Sequence, residues 1–355
     1  MRPPGGYEPA TVAVPALEAV RPAVDEELRA CLERERSQVA EAHPDAVSLV
    51  DELIRLVSAG GKRLRPAFCY WGYRAAGGDD GRPIVLAAAS LELLHSFALV
   101  HDDVMDRSEL RRGVASAHVR FASEHDRLGL AGDAGRFGES MAILAGDLAA
   151  VLADRLLMAS GFPLERLVAA RGRYDSMRIE MAVGQFLDLA EGAEAQEATA
   201  RRISQLKTGS YTVEGPLHVG AVLAGGSLEV MTALSRYGSP LGEAFQVRDD
   251  LLGLLDGEAD LAQAKPTLLL AKARELLAPE ELEAIAVLDR GRAADVLRAA
   301  GAVDAVVAHV NGLVEQARDA LADARIPSAA REALDELARL VAVGEDPHEP
   351  EMISP

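Results

Sequence analysis

Apolar residues recur along most of the chain at intervals of three and four positions, the spacing that places them on one face of an α-helix. Short breaks marked by glycine or proline separate these stretches. The helices predicted in this way span residues 16–41, 45–58, 66–76, 83–107, 138–159, 164–190, 197–206, 210–224, 228–252, 266–277, 279–288, 302–324 and 327–343. The glycine-rich stretch 122–138 is instead predicted to be a loop, and no convincing pair of strands is evident.

This pattern predicts an all-α fold, a single-domain bundle of long helices around a central cavity. Residues 1–15 are rich in proline and glycine, and residues 344–355 have a similar character. We therefore predict a disordered lead at 1–15, one helical domain at 16–343, and a disordered tail at 344–355.

The helix predicted at 83–107 is apolar nearly all round, which is typical of a helix inside a bundle. Yet it ends in HDDVMD, where Asp102 and Asp106 lie one turn apart on one face and Asp103 flanks them. Carboxylates clustered on a buried helix repel one another and lose hydration. A positive charge must therefore compensate them.

Two interpretations of this acidic cluster are open. In the first, it is a solvated helix end whose partners are Arg107, Arg111 and Arg112. In the second, it binds a metal, and a second acid pair supports this, because the helix at 228–252 ends with Asp249 and Asp250. Carboxylates on two helices suit Mg²⁺, which prefers oxygen ligands and often binds through one or two carboxylates plus substrate phosphates.

Basic residues at the start of a predicted helix could bind those phosphates. The segment GGKRLRP at 60–66 places Lys62, Arg63 and Arg65 at a predicted helix N-terminus, where the helix dipole favours an anion. A surface basic turn is the common alternative. His95 precedes Asp102 by about two turns, so both lie on nearly the same stripe of their helix. No GxxxxGK[ST] loop is present, which disfavours ordinary nucleotide hydrolysis.

Composition narrows the classes of function. The formal net charge of −19 opposes binding to nucleic acid or to an anionic membrane. Only Cys31 and Cys69 are present, which fits a reducing compartment. No signal-peptide pattern and no uninterrupted apolar run of membrane-spanning length is visible. We expect a cytoplasmic protein without a membrane span.

Several motifs, taken in order along the chain, resemble those of the trans-type isoprenyl diphosphate synthases, also called polyprenyl synthetases. The similarity covers about residues 45–275 and is of the short-chain type, as in bacterial geranylgeranyl diphosphate synthases. The motifs are GGKRLRP at 60–66, LELLHSFALVHDDVMD at 91–106, RRG at 111–113, FGESMAILAGDL at 137–148, GQFLDL at 184–189, LKTGSYT at 206–212 and FQVRDD at 245–250.

The resemblance implies roles residue by residue. The metal ligands would be Asp102, Asp103, Asp106, Asp249 and Asp250. The isopentenyl diphosphate site would comprise Lys62, Arg65, His95 and Arg112. The allylic diphosphate site would comprise Arg111, Lys207 and Lys265. Thr208 and Gln246 would lie beside the reacting carbons, and Gln185 of GQFLDL would belong to the substrate-binding set.

The implied reaction joins isopentenyl diphosphate to an allylic diphosphate (dimethylallyl, geranyl or farnesyl) through an allylic carbocation, with about three Mg²⁺ ions. The apolar bundle would exclude water from the cation. In this family the fourth and fifth residues before the first acidic motif often form the floor of the hydrocarbon cavity. Here they are Ala98 and Phe97, a pair that resembles synthases of the C20 product, with C15 close behind. A homodimer is also implied.

The chain departs from the family pattern at the second acidic motif. That motif reads DDLLG, with Gly253 where the last Asp is usual, and the segment LLDGEADLAQAKPTLLL after it is shortened. Two alternatives therefore stay open. One is a terpene cyclase-like enzyme, which should not need an isopentenyl diphosphate site. The other is a weakly active partner subunit of a heteromeric synthase, and the shortened segment is consistent with this alternative.

Overall fold

The computed structural model describes residues 14–111, 113–191, 196–255, 267–287 and 290–343. The helices in these ranges are α1 Pro15–Glu18, α2 Arg21–Ala42, α3 Val47–Ser58, α4 Leu64–Ala75, α5 Arg82–Met105, α6 Ala117–Leu128, α7 Ala134–Met158, α8 Leu164–Ala190, α9 Glu197–Ser204, α10 Gly215–Ala224, α11 Leu228–Leu255, α12 Leu268–Leu276, α13 Pro279–Val287, α14 Arg290–Ala299, α15 Ala302–Ala322 and α16 Ser328–Arg339. A 3₁₀ turn at Pro44–Ala46 precedes α3, and a π-helical segment at Gln205–Glu214 joins α9 to α10.

The predicted all-α fold is confirmed. The lead at 1–15 and the tail at 344–355 lie almost wholly outside the described residues, so the domain bounds stay a prediction. One small hairpin interrupts the helices, where β1 Leu110–Arg111 pairs antiparallel with β2 Val114–Ala115. Two-residue strands are too short to show the alternating pattern that predicts a strand.

The loop predicted at 122–138 is confirmed only at residues 129–133 and is wrong at both ends, which are helical. Helix α6 continues to Leu128, ends at Gly129 in the left-handed conformation, and α7 begins at Ala134. Asp133 caps α7 by accepting a hydrogen bond from the Arg136 amide at 2.6 Å. Gly138 lies inside α7, where it packs closely against α6. A Cβ at this position would lie 2.2 Å from the His118 carbonyl oxygen of α6. Gly138 thus serves helix packing, whereas Gly129 and Gly132, with positive φ, belong to the short loop. Helix α14 was also missed.

The described residues form two compact units. The N-terminal unit comprises 17–70 and 79–167, where α5 packs against α7, α6 packs against α7, and α2 and α3 complete the core. The C-terminal unit comprises 14–16, 71–78 and the described residues from Val168 onward, where α11 packs against α15 and the π-helical segment.

Helix α5 has the buried, all-round apolar surface that its sequence predicts. Most of its residues from Ile84 to Leu94 are buried, so this part of α5 lacks the exposed polar face of a surface helix. It is also the one described helix that is long and apolar enough to cross a bilayer by length and composition alone. Because 67% of its most apolar stretch is buried inside the protein, α5 is a core helix by packing.

Candidate active site

The first acidic motif lies at the C-terminal end of α5. Asp103 is buried, with 2% of its surface exposed, whereas Asp102 and Asp106 are half-buried. Helical geometry puts Asp102 and Asp106 on one face with Asp103 flanking them, and Asp103 alone is buried. The three carboxylates are therefore not equivalent.

Arg111 compensates the buried carboxylate. It lies on β1, and its Nε donates to Asp103 Oδ1 at 3.0 Å. Its Nη2 lies 3.7 Å from Asp102 Oδ2. Burial raises the pKa of Asp103, and the hydrogen bond and charge of Arg111 oppose that rise. Arg111 thus pairs with Asp103 as the first interpretation expects, but Asp103 is buried and not solvated.

The cations of the segment GGKRLRP do not all have the same surroundings. Arg63 is buried and donates to Glu92 and to Asp25, both at 2.7 Å, and to the Val57 carbonyl oxygen at 2.7 Å. The expectation that Arg63 belongs to the anion-binding group is therefore wrong, because internal acceptors hold its guanidinium. Lys62 is half-buried beside it.

Helix α4 begins at Leu64, two residues earlier than predicted. Arg65 is consequently in its first turn and is 9% exposed. A cation in the first turn opposes the helix dipole, so a local anion is needed to favour this position. On α5, His95 is half-buried two turns before Asp102, as predicted, and Phe97 and Ala98 are also half-buried.

The C-terminal unit holds the remaining described candidates. Lys207 in the π-helical segment donates from Nζ to Asp188 Oδ2 at 2.6 Å, while Thr208 and Gln185 are half-buried. Gly184 permits this contact between α8 and the π-helical segment, because a Cβ there would lie 2.3 Å from the Lys207 amide nitrogen. π-Helical turns are frequent at functional sites.

Asp188, the acceptor for the candidate residue Lys207, was not singled out by the sequence analysis. It belongs to GQFLDL, three positions after Gln185, so both side chains lie on neighbouring positions of one helical face. That spacing is the signal from which it could have been found.

The second acidic motif ends α11. Asp249 is exposed and Asp250 is half-buried, and Gln246 donates from Nε2 to Asp250 Oδ1 at 2.5 Å, one turn away. Arg248 directly precedes this acid pair. Burial lowers the pKa of its guanidinium, and the charge of Asp249 opposes this effect. Gln246 thus orients a carboxylate in addition to the substrate-facing role predicted for it.

Two predicted residues, Arg112 and Lys265, lie outside the described residues. Within the described ranges, no group of three or more His, Cys, Asp or Glu side chains forms a complete metal site. Mg²⁺ prefers oxygen ligands, keeps several waters and often takes phosphate oxygens from its substrate. The carboxylates of Asp102 and Asp106, one turn apart on α5, are a donor set of the right chemistry for it.

An all-α protein whose acidic motif at a helix end is paired with an arginine has features typical of a diphosphate-binding enzyme. The family model of polyprenyl synthetases matches residues 47–303, and the chain belongs to the polyprenyl synthetase family. The predicted resemblance is confirmed.

Relatives of this chain include short-chain synthases. A geranylfarnesyl diphosphate synthase of Aeropyrum pernix is 34% identical over 299 residues, which cover 78% of this chain and 86% of that protein. A short chain isoprenyl diphosphate synthase of Methanothermobacter thermautotrophicus is 32% identical, with coverage of 73% and 77%.

Solved structures show the same fold. The geranylgeranyl pyrophosphate synthase of Corynebacterium glutamicum, complexed with isoprenyl diphosphate and magnesium, has a TM-score of 0.81 and 33% identity, covering 92% of this chain and 98% of that one. The geranylgeranyl pyrophosphate synthetase of Geoglobus acetivorans has a TM-score of 0.74 and 31% identity, with coverage of 92% and 98%.

Proposed function

We propose that this protein is a Mg²⁺-dependent prenyltransferase that condenses isopentenyl diphosphate with an allylic diphosphate (dimethylallyl, geranyl or farnesyl) to give a C20 or C15 product and diphosphate. The observation that carries the proposal is the complete acidic motif at the end of α5 with Arg111 held over it, in a chain whose family membership is established. We expect the enzyme in the cytoplasm.

The carboxylates proposed to hold the metal are Asp102 and Asp106 on α5 and Asp249 and Asp250 on α11. About three Mg²⁺ ions are expected, as the family resemblance implies. Bound Mg²⁺ would neutralise charge on the departing diphosphate. Asp103 was predicted to be a ligand too. Its burial and its bond to Arg111 favour a different role, in which it orients the guanidinium.

Different sets of cations are proposed to bind the two substrates. Arg111 and Lys207, with Lys265, would bind the allylic diphosphate, and hydrogen-bond donors on that group stabilise charge as it develops. Lys62, Arg65, His95 and Arg112 would bind isopentenyl diphosphate. Thr208, Gln246 and Gln185 would flank the reacting carbons. The apolar surface of α5 would exclude water from the carbocation.

Product length is proposed to depend on Phe97 and Ala98. The hydrocarbon chain would grow along α5 until the Phe97 ring blocks it, and the small side chain of Ala98 leaves that ring as the barrier. This arrangement favours C20 over C15.

The enzyme is also proposed to be a homodimer. Large apolar side chains of α8 that are at least 45% exposed follow helical spacing along one stripe: Leu164, Val168, Ile179, Val183, Phe186 and Leu189. Helix α7 independently exposes Leu144, Val151 and Met158 at seven-residue spacing. Monomeric proteins rarely expose such contiguous apolar surface.

One assay tests the proposed activity. Purified protein is incubated with Mg²⁺, labelled isopentenyl diphosphate, and C5, C10 or C15 allylic primers, with EDTA and an Asp102→Ala variant as controls. Elongated diphosphates that require Mg²⁺ and Asp102 support the proposal. A cyclic hydrocarbon formed from an allylic diphosphate alone would show a cyclase, and no turnover with any primer would indicate a partner subunit.

A further inference from the structure

His101, the first residue of HDDVMD, makes a set of contacts that the proposed function does not use. Its ring packs on that of Phe97, one turn earlier on α5, with centroids 4.6 Å apart and an interplanar angle of 57°. Its Nε2 lies 3.1 Å from the Ile143 carbonyl oxygen of α7. Because a carbonyl only accepts, Nε2 carries the proton and donates this bond.

Helix α7 leaves space for this ring at Gly146, and we call this space the seat of His101. A Cβ at Gly146 would lie 2.3 Å from His101 Cδ2 and 2.4 Å from Nε2, so the imidazole occupies the space that any larger residue would fill. Asp147 Oδ1 is 3.6 Å from Nε2 on the same side. These residues of α7 belong to the segment FGESMAILAGDL, whose function the sequence left unassigned.

The seat restricts Phe97 as well as His101. Residues four apart on a helix are neighbours, so an immobilised imidazole limits the rotamers open to the Phe97 ring. The imidazole is 18% exposed and its only role visible in these contacts is to join α5 to α7 at the level of Phe97.

We propose that His101, seated on Gly146 and bonded to the Ile143 carbonyl, is a specificity-determining positioning residue that fixes the Phe97 ring as the floor of the hydrocarbon cavity. This inference rests on the proposed function. His101 need not touch substrate, because it acts through Phe97. The anchoring hydrogen bond, and not ring volume alone, distinguishes it from an ordinary packing residue.

The experiment compares product lengths from isopentenyl diphosphate and geranyl diphosphate, measured by mass spectrometry, for the wild type, four single variants, and Phe97→Ala with and without His101→Leu. His101→Leu keeps the bulk but loses the bond to Ile143. Gly146→Ala displaces the ring without changing α5. His101→Gln retains an N–H donor. Gly312→Ala in α15, where nothing lies within 4 Å of an added Cβ, is the matched glycine control.

We expect His101→Leu and Gly146→Ala to raise the ratio of longer to wild-type product about tenfold, the discrimination that a small change in an apolar pocket provides. His101→Gln should restore the wild-type ratio, and Gly312→Ala should not alter it. In a Phe97→Ala background, His101→Leu should have no further effect on length, because the ring that it positions is gone.

The outcomes separate this inference from the proposed function. If the wild type elongates no primer, the proposed function fails. If the wild type elongates but His101→Leu gives the wild-type length distribution, or if His101→Leu and Phe97→Ala lengthen the product additively, the positioning role is overturned. If Gly146→Ala does not fold, as judged by circular dichroism, His101→Leu and the double variant decide the question.

Discussion

Single residues near the end of α5 show how the protein divides its charges. Arg63 and Asp103 are buried, and each has an internal partner of opposite charge, Glu92 and Arg111 respectively. Asp102 and Asp106, beside Asp103 at the end of the same helix, are half-buried. Burying a charge without a partner is costly, so the internal pairs serve the fold. The half-buried carboxylates are better suited to a metal.

Asp106→Asn tests that division. Removing one proposed ligand should lower kcat by roughly 10²- to 10³-fold and raise the Mg²⁺ concentration needed for half-maximal rate, because an amide is a poorer Mg²⁺ ligand. Steady-state rates over a Mg²⁺ titration measure both effects. Asp126→Asn on α6, whose carboxylate is 76% exposed, is the control and should match the wild type. An unchanged Mg²⁺ dependence in Asp106→Asn would remove this residue from the metal site.

Phe97→Ala tests the proposed floor. Its ring should no longer block the growing chain, so the main product should lengthen by at least one isoprene unit. Chromatography of the dephosphorylated alcohols measures the length. An unchanged product would mean that Phe97 only packs against His101.

His218 predicts an acid-dependent loss of stability. Burial lowers its pKa to about 4, and the charge of Arg173 adds to that effect. The unfolded chain takes up the proton at about 6.5, so the neutral, buried form stabilises the fold above that pH. This stability is lost as pH falls from about 6.5 to about 4, by roughly 3 kcal/mol.

The comparison with His218→Gln isolates this effect. Glu214 faces His218, with Oε1 3.9 Å from Nε2, and burial raises the Glu214 pKa, which changes stability in the opposite direction over part of the range. Urea unfolding between pH 4 and 7 should therefore be less pH-dependent in His218→Gln than in the wild type. Equal slopes in both proteins would contradict the prediction.

The residue scale also shows why the sequence identified the candidate site only in part. The order of the sequence motifs indicated the family, and HDDVMD indicated candidate metal ligands. The sequence could not separate Arg63 from Lys62, because that depends on Glu92, 29 residues away, meeting the guanidinium in the fold. It also did not reveal that Asp188 holds Lys207, since that contact joins two helical segments 19 residues apart.

At the scale of elements, close backbone approaches explain both the successes and the errors of the helix predictions. Long apolar stretches such as α5 and α7 were predicted well because their periodicity is a local property. The stretch 122–138 was not, since Gly138 signals packing against α6 and not a turn. The π-helical segment could not be predicted either, because its extra residue per turn has no sequence pattern of its own.

Gly242→Ala tests one such approach. A Cβ at Gly242 would lie 2.5 Å from the Gly209 carbonyl oxygen, so α11 and the π-helical segment must separate to admit it. We expect a loss of about 1–3 kcal/mol, the usual cost of overpacking, and a lower melting temperature by thermal denaturation. Gly312→Ala, which adds a Cβ into open space on α15, should instead stabilise slightly. A Gly242→Ala protein as stable as the wild type would show that the two segments are not tightly packed.

At the scale of the whole molecule, charge and apolar surface favour different kinds of partner. A net charge of −19 keeps copies of the chain apart over most of their surface. The stripe of α8 is an exception, because Phe186 is 66% exposed and Ile179 is 64% exposed. Burial of such side chains in a second copy is worth roughly 1.5–3 kcal/mol each, enough for a few of them to outweigh screened repulsion.

The double substitution Ile179→Glu and Phe186→Glu should therefore convert a dimer into a monomer, because it places charges where apolar side chains must be buried. Light scattering after size-exclusion chromatography measures the mass directly. Leu228→Glu is the matched control, since Leu228 is 83% exposed on α11 and lies outside the α8 stripe, so that variant should stay dimeric. A dimer that survives the double substitution would place the interface elsewhere. A monomeric wild type would contradict the proposed homodimer.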